Sequence, residues 1–119
     1  MKNIGIVGSR RRNTVKDYQE VVEVFFKIYK SGDKIISGGC PKGADSFAEN
    51  IAEVHHIPIK IFYADWKRLG KKAGFIRNTD IAEESNVLIA CVASDRTGGT
   101  EDTIKKFLKN HPKSDLYLV

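Results

Sequence analysis

Three short apolar runs end in glycine turns that each open a segment of helical periodicity. This repeated junction is the strongest constraint on the fold. The junctions are Val7-Gly8-Ser9-Arg10, Ser37-Gly38-Gly39-Cys40-Pro41-Lys42-Gly43-Ala44-Asp45 and Thr97-Gly98-Gly99-Thr100. A glycine turn ahead of a helix lets backbone N–H groups converge where the helix dipole favours an anion. Three such turns predict one site for a phosphorylated ligand.

Between the junctions the pattern alternates. Strands are expected at residues 4–7, 34–36, 58–62, 86–91 and 116–119. Helices are expected at 14–30, 43–55, 73–84 and 100–110, with a longer basic connection at 63–72. In the first helix Val15, Tyr18, Val22, Phe25 and Tyr29 recur at helical spacing. In the second, Ala44, Phe47, Ala48, Ile51 and Ala52 form the inner face, and in the last Ile104, Phe107 and Leu108 do. Strands that are continuously apolar suit a parallel sheet covered on both faces. Right-handed crossovers then predict an α/β, Rossmann-like, doubly wound sheet of five strands in the order 3-2-1-4-5. All three glycine junctions fall at carboxyl ends of strands, beside the point where that order reverses direction, which is where such sheets bind ligands.

The 119 residues, 41% hydrophobic and 29% charged, are expected to form one soluble domain. No apolar run is long enough for a bilayer and no signal-peptide pattern follows Met1, so a cytoplasmic location and no membrane partner are expected. The net charge is +5, concentrated in Arg10-Arg11-Arg12 and in Lys67, Arg68, Lys71 and Lys72. Both clusters suit phosphate, on a small molecule or on nucleic acid. Two cysteines make no disulfide framework: Cys91 ends an apolar run as a small hydrophobe, and Cys40 lacks a neighbouring base in sequence. His55-His56 has no second cluster at metal spacing, so no metal site is expected.

The glycine turns fit no common nucleotide fingerprint. The Gly38–Asp45 turn has Ala44-Asp45 where a P-loop needs Lys-Ser/Thr, and there is no G-x-G-x-x-G. No cofactor is therefore expected. Arg77, one turn after Gly74, is expected to reach back to the site, the alternative being an ion pair with Asp80 or Glu84. Asn78 would read a base or ribose edge, or bond nearby backbone. Asp45 and Asp65 are the acids placed near the mouth, Asp45 for a ribose hydroxyl or for the helix dipole. Trp66 is expected to close the edge of the core rather than to stack on a base.

These residues carry a resemblance. Val7-Gly8-Ser9-Arg10, Ser37-Gly38-Gly39 with Lys42-Gly43-Ala44-Asp45, Ala64-Asp65-Trp66, Gly70-Lys71-Lys72-Ala73-Gly74, Arg77-Asn78 and Gly99-Thr100 occur in this order. Together they resemble the small stand-alone, YspA-like proteins of the SLOG superfamily, over nearly the whole chain. The resemblance implies a Rossmann-like fold whose glycine turns bind nucleotides or nucleotide-derived ligands, and related families include homodimers. It also brings in the LOG phosphoribohydrolases, which cut the base–ribose bond of nucleoside monophosphates, and the DNA-processing protein DprA, which binds single strands. Arg77 matches the catalytic arginine of the former. Asn78 stands at their lysine, Arg96-Thr97 at their leading glycines and Thr103 at their glutamate, leaving Glu101, Asp102, Asp45 or Asp65 to supply a carboxylate. The expected ligand set is Gly8, Ser9, Arg10, Gly38, Gly39, Gly43, Asp45, Asp65, Arg77, Asn78, Gly98, Gly99 and Thr100. Phosphate is expected on Gly98–Thr100, with Gly8, Ser9 and Arg77 assisting. Base and ribose are expected toward Gly38, Gly39 and Asp45, with residues 63–72 as a lid.

Overall fold

The computed structural model describes residues 1–119. Strands β1 (Asn3–Gly8), β2 (Lys34–Ser37), β3 (Ile59–Ile61), β4 (Val87–Cys91) and β5 (Leu116–Leu118) form one parallel sheet in the order β3-β2-β1-β4-β5. The Rossmann-like order expected from the alternation is the one observed. Helices α1 (Val15–Ile28) and α2 (Ala44–His55) cover one face, and α4 (Lys72–Glu84) and α5 (Gly99–Leu108) cover the other.

Successive strand side chains point to opposite faces, so each strand feeds two cores. Ile4, Ile6, Ile35, Ile89 and Cys91 meet Val21, Phe25 and the inner face of α2. Val7, Ile36, Leu88 and Ala90 meet Ile81, Ala82, Ile104 and Phe107. Cys91 is fully buried, and that burial pushes its thiol up to about 11, so it behaves as the expected small hydrophobe. No helix is long and apolar enough to cross a membrane.

Two expectations change. In α1, Val15 is not on the inner face; it is 73% exposed. A capping box sets the start of the helix: Asp17 N–H donates to Thr14 Oγ1 and Thr14 N–H to Asp17 Oδ2, both at 3.1 Å. Asp17, tied to Arg12, therefore turns inward in place of Val15. In the 63–72 connection a short helix, α3 (Trp66–Leu69), replaces the expected loop, capped by Asp65, whose Oδ1 accepts the Arg68 amide. Its four residues are too few to show a period.

Candidate functional site

The three glycine junctions do converge. A cavity of about 830 Å³ opens at the carboxyl edge of the sheet, walled by Gly8, Ser9 and Arg10, by Gly38 and Gly39, and by Gly98, Gly99 and Thr100. Arg77, Asn78 and Asp45 complete its expected lining. The volume lies in the range that holds small ligands and cofactors, and the place is the switch point beside β1.

Two expected residues are not on the wall. Gly43 is the N-cap of α2, with φ +76°, and a Cβ there would lie 2.6 Å from the Ser9 carbonyl oxygen. Its glycine is required by close packing of the first two junctions against each other. Asp65 caps α3 and pairs with Arg68 at 3.3 Å.

Arg77 reaches the cavity from α4. Its Nη1 donates to the Gly38 carbonyl at 2.8 Å and its Nε to Asn78 Oδ1 at 3.2 Å. It forms no ion pair, and Glu84, one alternative partner, bridges to Lys60 instead. Asn78 is buried and bonds backbone rather than presenting a free edge: its Nδ2 donates to the Gly99 carbonyl at 3.3 Å and to Asp102 Oδ2 at 3.1 Å. It thereby locks the guanidinium to the turn that opens α5.

The Gly99 and Thr100 amides that open α5 have no partner inside the helix, whereas Glu101 N–H donates to the Gly98 carbonyl at 3.2 Å. The acids of that first turn are neutralised nearby, Glu101 by Arg96 at 2.8 Å and Asp102 by Lys106 at 2.8 Å. Neither lines the cavity. Thr103 is buried and does line it, its hydroxyl directed to the Gly99 carbonyl at 3.4 Å. Asp45 is the one carboxyl on the wall. Burial pushes it above the ordinary aspartate range, against the Cys40 amide, which donates to Oδ2 at 3.0 Å, and the charge of Arg77.

The Arg10–Arg12 cluster divides. Arg12 turns away from the cavity and pins the carbonyls of Val92 and Val119, with Asp17 and Glu20 around it. Arg11 lines the cavity but is held by a bidentate pair with Asp95 and by Thr97. Arg10 alone faces the cavity without an ion pair, as Lys71 does from the other cluster.

Thr97 from the third junction and Tyr63 from the expected lid also line the cavity; sequence reasoning gave Phe75 no role there and misplaced Trp66. The indole is 59% exposed on the cavity rim, not closing the core. Comparison with known proteins finds no matching family model, no matching curated protein and no matching solved structure.

Proposed function

We propose that this chain binds a nucleotide or nucleotide-derived phosphorylated ligand at the carboxyl edge of its sheet. The observation that carries the reading is Arg77: a guanidinium without a carboxylate partner, held on the wall of a cavity where three glycine turns meet. Phosphate is placed on the amides of the Gly98–Thr100 turn, with Gly8, Ser9 and Arg77 around it, because a helix N-terminus and a fork of donors both suit an oxyanion. Base and ribose extend toward Gly38, Gly39 and Asp45. The resemblance to SLOG proteins agrees with this class of ligand. Isothermal titration against nucleoside monophosphates, cyclic nucleotides and ADP-ribose derivatives tests it. At least one compound is expected to bind well below millimolar, and Arg77→Ala to weaken it by roughly 10- to 100-fold, the worth of a charge-assisted hydrogen bond. No binding below millimolar, with no effect of Arg77→Ala, refutes the reading.

One observation supports hydrolysis at the same site. Asp45 is a buried carboxyl on the cavity wall whose burial raises its pKa, the direction required of an acid serving a base–ribose cleavage. This second reading requires release of free base and ribose 5-phosphate from nucleoside monophosphates, abolished by Asp45→Asn.

A further inference from the structure

The exposed aromatic residues are not scattered evenly. Tyr63, Trp66 and Phe75 are 70%, 59% and 59% exposed, and all three line the one large cavity. Two of the three rest on glycines. A Cβ at Gly39 would lie 2.6 Å from Tyr63 Cε1, so the phenol rests directly on the second glycine junction. A Cβ at Gly74 would lie 3.1 Å from Trp66 Cη2, so the indole rests on α4 where that helix has no side chain. Glycine within a helix costs about 1 kcal/mol against alanine, a cost that makes sense if the absent Cβ seats a ring. Lys106 Nζ lies 5.5 Å from the centre of the Phe75 ring, occupying one side of it.

We infer that these rings form a stacking platform for the nucleobase, with Trp66 as its principal surface. The inference rests on the proposed nucleotide reading and makes it more specific: phosphate at the α5 turn, ribose beside Asp45, base over the aromatic rim. Three features favour a base over another occupant. The rings border the same cavity as Arg77 and the glycine amides, so one molecule reaches both. Lys71 and Arg10, neither in an ion pair, lie on the same wall and suit an anionic ligand. A planar π-system gains most from rings that are held on one side and open on the other.

The chain has one tryptophan, so its fluorescence reports on Trp66 alone. The full chain is titrated with adenosine 5′-monophosphate and, separately, with ribose 5-phosphate. The monophosphate is expected to bind on the order of 10-fold more tightly and to quench the indole, whereas ribose 5-phosphate binds without quenching. By calorimetry, Trp66→Ala is expected to bring the monophosphate down to the affinity of ribose 5-phosphate and leave the latter unchanged. Trp66→Phe, which keeps a ring, is expected to restore most of the difference. Circular dichroism of both variants confirms the fold, which an exposed side chain on a short helix leaves intact. Equal affinities for the two compounds with no quenching overturn the platform while leaving the phosphate site standing. No binding of either overturns the platform, and overturns the nucleotide reading as well if no nucleoside monophosphate, cyclic nucleotide or ADP-ribose derivative binds below millimolar. A dimer that Trp66→Ala splits, with nucleotide affinity unchanged, overturns the platform and assigns the rings to a second copy of the chain.

Discussion

Strand β2 is flanked by two buried aspartates, and their surroundings drive them in opposite directions. Asp33 precedes the strand at the amino edge of the sheet. Burial alone would raise it, yet the Lys2 ammonium, the Lys2 amide at 2.9 Å and the Lys30 amide at 2.9 Å hold it down to about 2. Asp45 follows the strand at the carboxyl edge. There burial prevails over the Cys40 amide and the charge of Arg77, and the carboxyl stays above its ordinary value. The same contrast runs along both edges. At the amino edge polar groups satisfy one another, as Asn3 does with the Asn86 side chain at 2.7 Å and the Glu84 carbonyl at 2.9 Å. At the carboxyl edge Arg10, Lys71 and Arg77 face the cavity in no ion pair, and Asp45 is its one carboxyl. One edge pairs its polar groups with one another; the other leaves Arg10, Lys71 and Arg77 outside any ion pair.

The largest effect should come where this division fails, at a residue of the carboxyl edge that serves packing. Gly43→Ala combines a left-handed φ of +76° with a 2.6 Å approach to the Ser9 carbonyl, and should cost about 2–4 kcal/mol in chemical denaturation. Gly98 has φ +108° but open space around its missing Cβ, so Gly98→Ala should cost less. Equal losses at the two positions would contradict the packing role given to Gly43.

Next comes Arg77→Ala, which should weaken ligand binding by roughly 10- to 100-fold while shifting stability by no more than about 1 kcal/mol. Asp33→Ala should do the reverse, lowering stability by about 1–2 kcal/mol at pH 7, after allowance for nearby water, and leaving affinity unchanged. Because the folded-state value of Asp33 lies near 2, below the ordinary aspartate value, its contribution is present above the ordinary value and lost as pH falls through the folded one. The gap between wild type and Asp33→Ala should therefore close between about pH 4 and pH 2.

What the sequence disclosed, and what it withheld, follows the same physical line. Continuous apolar runs such as Val87–Cys91 read as buried strands because helices cover both faces, and the glycine junctions then located the cavity through topology alone. Contacts that depend on turn geometry were hidden. Arg10, Arg11 and Arg12 look like one charge cluster, but the tight turn in which Arg12 N–H donates to the Ser9 carbonyl sends them to the cavity rim, to Asp95 and to Asp17. Val15 was misassigned although the Thr14-x-x-Asp17 box was present to be read. Trp66 was given to the core on hydrophobicity, whereas its exposure depends on whether another element covers it, which no local pattern records. Asp65 and Gly43 belong to the right neighbourhood but cap helices there.

The smallest effect is the sharpest test of the comparison. A folded-state pKa raised above the unfolded value means that burying ionised Asp45 costs stability at neutral pH, and that this cost vanishes once the pH is low enough to protonate the carboxyl in both states. Asp45→Asn should therefore raise the unfolding free energy slightly at pH 7, by less than about 1 kcal/mol, with the gain shrinking as pH falls through the carboxylate range. Asparagine still offers an oxygen to the Cys40 amide, but it replaces an anionic acceptor for a ribose hydroxyl with a half-donor that also faces the Arg77 guanidinium. Nucleotide affinity should fall in the same variant that gains stability, the trade expected where a buried charge is kept for binding. Were Asp45→Asn to lose stability at neutral pH instead, Asp45 would be a second Asp33, and the two edges of the sheet would no longer differ in kind.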